Sequence, residues 1–312
     1  GNKKISFLLI SENIIILGKF MKKLVDEQAN VGEGPVWDPN TQLLYWTDIR
    51  SGRLFKFDPS DNSNKTIHSG IFIGGFSVNS QGGLLLGTWR GVMLWESDEK
   101  YKWIHYGEFE GETLQFNDCI AGPDGSFYAG TFFDSSIEGK EKLGKLYRFF
   151  PDGKIEIVSE NHGCSNGMGF SPDLNWFYHT DAAKKTIYRH HYDKKSHEVG
   201  ESEVWFRYEK KGGTDGMTVD SEGFVWSAIW GGSRIIRIDP SGKIEREILV
   251  PAVQTSSLMF GGKELKDIYI TTAASPQSKH DYEPDSYLGG SLFLEQQSIK
   301  GKLEFESNFS WE

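Results

Sequence analysis

The chain has two cysteines and eight histidines in 312 residues. So few thiols exclude a disulfide framework and a cysteine-type zinc site. The histidines show no ligand spacing; the His190–His191 pair falls in an outer-strand pattern and reads as surface. No apolar run is long enough to span a bilayer. No segment carries a convincing amphipathic helical period. No run of Pro, Ser or charge marks a linker, so residues 21–312 read as one domain. The net charge of −10 is spread rather than clustered, so neither nucleic acid nor a membrane is an expected partner. Residues 1–20 hold the apolar stretches ISFLLI and IIILG, interrupted by Glu12 and Asn13. They read as an extension ahead of the domain rather than a signal peptide with a cleavage site. Of the two readings of Cys119 and Cys164, buried thiols in a reducing, cytoplasmic compartment is favoured over a disulfide.

What the chain does have is repetition. One landmark recurs: an apolar residue, a Gly/Asp/Asn/Pro turn, then an aromatic strand. It falls at Trp37, Val78, Ala121, Phe170, Val219 and Phe260. The spacing is roughly 41 to 49 residues, the length of a four-stranded propeller blade. A third strand follows (GRLFKFD, GKLYRFF, KTIYRHH, SRIIRID), then a less regular fourth. Val, Ile, Tyr, Phe and Trp fill the runs, which is strand chemistry. The pattern predicts an all-β fold, a six-bladed β-propeller of four-stranded antiparallel blades. Six units in register argue against a β-sandwich. Closing a ring removes sheet edges, and the segment after Met21 (KKLVDEQAN) is expected to pair with the last unit around Ser291–Glu304.

Four residues upstream of the landmarks stand Glu33, Asn117, Asn166 and Asp215, with Gly74 and Ser256 at the two remaining equivalent positions. In a closed repeat, equivalent positions gather around one axis. Two carboxylates and two carboxamides form an all-oxygen set suited to one hard divalent cation. Ca²⁺ is favoured, with Mg²⁺, Mn²⁺ and Zn²⁺ as the other choices. The glycine and the neutral serine leave part of the circumference open, and an open position separates a catalytic metal from a structural one.

VGEGPVWD at 31–38, FND at 116–118, SNGMGFSPD at 165–173, TDGMTVDSEGFVW at 214–226 and SSLMFGGKELKDIYITTA at 256–273 occur in that order. The chain thereby resembles the family of regucalcin (senescence marker protein), gluconolactonase and luciferin-regenerating enzyme over residues of about 29 to 303. The resemblance implies a six-bladed propeller with one divalent metal on the axis and lactonase, esterase or phosphotriesterase activity. It implies Glu33, Asn166 and Asp215 as metal ligands, and Asn117 as an axial residue binding metal or substrate.

The expected reaction is metal-dependent opening of a lactone, as in gluconolactonase-like sugar lactone hydrolysis. The metal polarises the carbonyl. Asp215 is ligand and general base for water, or alternatively the nucleophile itself. The Asn117 amide supports the oxyanion. Asp118 is a third candidate base, favoured instead as a residue that orients its neighbours. In an antiparallel meander the connection after each second strand returns to the ligand end. Asp48, Trp89, Arg90, Phe132, Phe133, Asp134, Asp181 and Trp230 are therefore expected at the mouth, with Asp48 and Asp181 favoured as turn caps. Trp89 and Trp230 fit substrate contact or packing between blades equally. Insertions at 134–144 and 274–289 are candidate lids. Where regucalcin-type members carry Arg before Phe-Asn-Asp, this chain has Gln115; Arg90 is the expected replacement cation. The acidic residue expected near the third blade falls on Asp134, or slips to Ser135. Gln115, Arg90, Trp89, Phe132, Asp134, Trp230 and Asn117 form the expected substrate set, for a small-molecule lactone. The alternatives are an ester or organophosphate hydrolase on the same metal, or a non-catalytic calcium-binding propeller.

Overall fold

A computed structural model describes residues 21–139, 141–274 and 288–312. The N-terminal extension and most of the insertion at 274–289 lie outside the described residues. Among the described residues the only helical pieces are Ser135–Glu138 and a single turn at Ala182–Lys184. The rest is strand and turn in a propeller-like arrangement. Four antiparallel sheets of four strands begin with Gly32–Asp38, Ile73–Val78, Phe116–Ala121 and Ser165–Phe170. Eight further strands form one sheet, in which the meander from Gly213–Val219 and the meander from Gln254–Gly261 are joined through one pair, Trp230 with Gln254.

The first strand of each meander is innermost. These six strands pack one on the next, and Gln254–Gly261 packs against Gly32–Asp38 to close the ring. Inner strands are buried almost throughout, as in Ile73–Val78, whereas outer strands such as Val199–Arg207 are mostly exposed. Apolar clusters fill the wedges between neighbouring meanders. Leu85, Val92, Phe116 and Phe127 form one such cluster; Met217, Val225 and Ile236 meet Tyr178 in another. Trp37, Trp46, Phe55 and Leu292 join the first meander to the last, where Trp37 stacks on Tyr269 with centroids 5.8 Å apart. The tight turns after four of the inner strands are capped by Asp38, Asp124, Asp173 and Asp220. Asp220, for example, accepts from the N–H groups of Glu222 and Phe224 and from Trp226 Nε1.

Lys22–Asp26 is the outer strand of the last meander, pairing antiparallel with Ser291–Gln296 (Lys22 opposite Leu294, Asp26 opposite Ser291). The expected closure is therefore present. The C-terminal segment runs behind the ring: Gly301 bridges to Asp220 and Ser307 to Asn79, while Phe305 meets Phe170 edge-on at 5.9 Å. Deleting residues 1–26 leaves Ser291–Gln296 as a bare edge. We expect a lower Tm and concentration-dependent association by light scattering; a truncated chain as stable and monodisperse as the full one would show that this strand does not hold the ring closed.

Candidate active site

Every inner strand slips register at the position singled out by the repeat. Gly74, Asn117 and Ser256 are each skipped between paired neighbours. Gly34–Pro35 directly after Glu33, then Asn166–Gly167 and Asp215–Gly216, are skipped as pairs. Such bulges turn a side chain out of the alternating pattern of the strand. They arise where neighbouring inner strands meet backbone to backbone. A Cβ on Gly74 would lie 2.1 Å from the Phe116 carbonyl oxygen, and one on Gly167 would lie 2.5 Å from Met217 N.

Glu33, Asn117, Asn166 and Asp215 all line one cavity of about 890 Å³ that opens to solvent. Glu33 and Asp215 sit at its floor, only 5% and 4% exposed. Glu33 Oε2 accepts from Gly34 N at 3.0 Å, and Asn166 Oδ1 accepts from Gly167 N at the same distance. Asn117 Nδ2 donates to the Ser165 carbonyl at 3.0 Å. Ser256 does not line the cavity; its buried hydroxyl donates to the Gly32 carbonyl and so ties the last inner strand to the first. Asp118 faces the other way, into a small cavity of about 50 Å³ behind the ring, with Oδ1 accepting from Cys119 N at 2.7 Å. It is thereby removed from the substrate side.

Burial pushes Glu33 well above the ordinary carboxylate range, and the charges of Asp215 and Asp118 push it further. Asp215 is raised by burial and by Asp118, against a hydrogen bond from Asn166. Burial lifts Asp118 to about 7. Among the described residues no Lys, Arg or His pairs with any of the three. Buried carboxylates normally have a counter-charge. An all-oxygen set that lacks one fits a hard cation.

Asp48 and Asp181 contrast with them. Both are fully buried. Burial opposes the ionisation of Asp48, but Ser51, the N–H groups of Val31 and Asn30, and Arg53 outweigh it and hold the carboxyl low. For Asp181, burial is likewise outweighed, by His162, the N–H groups of Cys164 and Gly163, and Lys184. His162 Nδ1, at 3.7 Å, is an electrostatic neighbour rather than a donor in bonding range. These two aspartates cap the loops that enter Glu33 and Asn166, as expected of turn caps. Ser165 Oγ lies 2.6 Å from His179 Nε2, but both residues are fully buried and clip the sheet together away from the cavity.

At the rim, Trp89, Phe132, Asp134 and Trp230 line the cavity. Phe133 is buried, with Lys142 Nζ 3.9 Å over its ring. Phe133 is outside the lining, and so are two residues of the expected substrate set. Gln115 donates to the Phe132 carbonyl at 3.1 Å and is no part of the lining. Arg90 is exposed and also outside it. The cation there is Arg50, which sequence reasoning missed, although it follows Asp48 in the same class of connection as Trp89. Lys185 and Lys211 join the rim on the opposite side, and Cys164 lies beside the floor. Cys164 and Cys119 are both unpaired thiols.

A ring of antiparallel meanders with an oxygen-lined axial cavity is a propeller-type scaffold built around a central site. The chain belongs to the SMP-30/Gluconolactonase/LRE-like family, whose profile matches residues 31–274. It is 34% identical over 292 residues to pentonolactonase XacC of Haloferax volcanii, covering 92% of this chain and 97% of that protein. It is 30% identical to 6-deoxy-6-sulfogluconolactonase of Pseudomonas putida, covering 92% and 98%. The fold matches luciferin-regenerating enzyme with a TM-score of 0.85 at 24% identity, covering 93% of this chain and 100% of that one.

The raised carboxylates make stability pH-dependent. The folded chain keeps protons on Glu33, Asp118 and Asp215 at pH values where the unfolded chain has released them. Stability of the cation-free protein should therefore fall as pH rises from the ordinary carboxylate range through about 7. A cation bound at the ring should raise the Tm more near pH 8 than near pH 5. Thermal scans with Ca²⁺, Mg²⁺, Mn²⁺, Zn²⁺ and chelator check this; a Tm indifferent to every cation at the higher pH would exclude a cation site.

Proposed function

We propose that this protein is a lactone hydrolase that works with one divalent cation held by Glu33, Asn117, Asn166 and Asp215. One observation carries the reading. Two uncompensated carboxylates and two carboxamides, turned inward by strand bulges, meet at the floor of a solvent-open cavity of about 890 Å³. The lactonase names of the relatives over nearly the whole chain supply the reaction class. We read the eight-stranded sheet as two meanders joined by one pair, which gives six blades. The all-oxygen donor set favours Ca²⁺.

When bound, the cation supplies Lewis-acid polarisation of the ester carbonyl. The chain's own groups do the rest. Asp215 is nearly buried and lines the cavity floor. That position lets a carboxylate oxygen take a proton from a water attacking the lactone carbon. Asn117 Nδ2 donates to the Ser165 carbonyl at 3.0 Å and to Cys164 Sγ at 3.8 Å; sulfur is a weak acceptor, so the developing oxyanion can take over that second N–H. The proton is then delivered to the ring oxygen as the C–O bond breaks, leaving a hydroxy acid. Phe132, Trp89 and Trp230 wall the cavity and offer apolar ring faces to a bound lactone.

Proton release in a weakly buffered indicator solution tests this. The substrates are glucono-δ-lactone, simple γ-lactones and one phosphotriester, each with Ca²⁺, Mn²⁺, Zn²⁺ or chelator. Wild type should open lactones in a cation-dependent way, and Asp215→Asn should lose ~10²–10⁴-fold in kcat. A folded, cation-binding wild type with no lactone turnover would overturn the reading. Faster turnover of the phosphotriester than of any lactone would replace it with phosphotriester hydrolysis.

A further inference from the structure

Cys164 lines the axial cavity beside Asn117, Asn166, Glu33 and Asp215. Its sulfur accepts from Asn117 Nδ2 at 3.8 Å and from Asn166 Nδ2 at 3.9 Å. One atom thus touches carboxamides of two meanders, the third and the fourth. The backbone that carries it is clamped from both sides. Asp181 Oδ1 accepts from Cys164 N and Asp181 Oδ2 from Gly163 N, each at 3.1 Å. The Cys164 carbonyl accepts from Ala182 N at 2.9 Å. Asp181 is itself fully buried, with Lys184 Nζ 3.1 Å away. Two carboxylates of the same floor, Glu33 and Asp215, are buried and raised by burial without a basic partner among the described residues, which points to a cation beside these amides.

We propose that Cys164 is a positioning residue for the cation site, holding Asn117 and Asn166 by their N–H ends so that both amide oxygens serve the cation. The inference rests on the cation-dependent reading above and adds how the chain prepares the donor set. A carboxamide has a donor end and an acceptor end of similar size. Turned the wrong way, it offers a cation two N–H groups and repels it. Each of these amides spends one N–H on an oxygen: Asn117 on the Ser165 carbonyl at 3.0 Å, Asn166 on Asp215. The sulfur takes the other N–H of both. The donor ends are then satisfied, and the oxygen ends are left for the ion. Orienting a ligand through the partner of its other end is how residues behind a metal site act. Sulfur suits the task by its reach. An N–H···O bond closes at about 2.9 Å, so a hydroxyl in the same place reaches neither amide. Its weak hold also leaves the Asn117 N–H free to pass to the developing oxyanion.

Calorimetry of Ca²⁺ and Mn²⁺ binding to wild type, Cys164→Ala, Cys164→Ser and Cys119→Ala tests this. Far-UV circular dichroism and the Tm of the cation-free proteins verify folding. Cys119→Ala is the control: it removes the other thiol, which is buried against Gly87. It should lower the Tm and leave the cation Kd unchanged. Both Cys164 variants should raise the Kd about tenfold with little change in Tm. The side-chain NH₂ signals of Asn117 and Asn166 in ¹H–¹⁵N spectra should shift in both, even without cation. Half-maximal lactone turnover should need more cation by the same factor. At saturating cation kcat should stay within a few-fold of wild type, because the bound ion then holds the amide oxygens itself. Unchanged Kd in the Cys164 variants overturns the proposal. So does a Kd raised as much in Cys119→Ala, which marks a general structural loss, or a serine variant that binds cations like wild type. If wild type binds cations through Cys164 yet opens no lactone, the lactonase reading falls while the positioning role stands. If lactones are opened with cation and the Cys164 variants keep the wild-type Kd, the reverse holds. A wild type that binds no divalent cation removes both.

Discussion

The site depends on crowding at the axis. Six inner strands converge until their backbones touch, close enough that a methyl group on Gly74 or Gly167 would overlap the next strand. A regular ladder cannot continue through such a constriction with side chains on both faces. Each inner strand therefore gives up a ladder position there, and the released residue no longer obeys the alternation that would bury it between sheets. In four of the strands the residue at or beside that position carries an oxygen-bearing side chain that lines the cavity. Ser256 takes another use of the same geometry and bonds across to the first strand. Ring closure and the placement of the site are consequences of one steric limit.

The electrostatics follow from that placement. Side chains at the constriction are withdrawn from water, whatever their charge. Asp48 and Asp181 are equally buried, yet each receives backbone N–H groups and a basic neighbour, so its charge is stabilised. Glu33 and Asp215 receive one donor each at most from the chain, and the charge of a nearby carboxylate raises each of them further. The difference lies in the partners rather than in residue type or depth. The fold satisfies two buried aspartates fully and leaves Glu33 and Asp215 without a basic partner among the described residues, which is the observation behind the cation site proposed above. The outer rings of the propeller supply the stability this arrangement costs, through the apolar wedges between meanders.

How far this was legible in the sequence differs between floor and rim. The floor is a matter of counting. Equivalent positions in a closed repeat must meet, so Glu33, Asn117, Asn166 and Asp215 were readable from spacing alone. The bulges were not, because the number of skipped residues, one in some strands and two in others, depends on how the neighbouring strand passes. Asp118 lies behind the ring because it resumes the ladder opposite Gly130 after Asn117 is skipped. At the rim, spacing identifies the connection without fixing direction. Trp89 and Arg90 are consecutive in a tight turn between Thr88 and Gly91, and only Trp89 faces the cavity. The Asp48–Arg53 connection is longer and includes Gly52 at φ +66, which lets Arg50 swing over the mouth. Two residues further along the same connection would have revealed it.

Floor and rim are thus built from different parts of the chain. Inner-strand residues are locked by the constriction, and each is surrounded by backbone, so a change there disturbs the ring as well as the chemistry. Rim residues come from connections after the second strands, where only the ends are fixed by pairing. Arg50 reaches from the first meander past the second to Asp134 in the third, which no regular strand contact would allow. A cation needed at one angular position of the mouth can therefore be delivered from a meander other than the one immediately beneath it. The position of a group around the axis, rather than its place in any one repeat, decides which part of the mouth it lines. For that reason Gln115, which bonds the Phe132 carbonyl and lies outside the lining, does not by itself leave the mouth without a cation: Arg50 lines it from another meander.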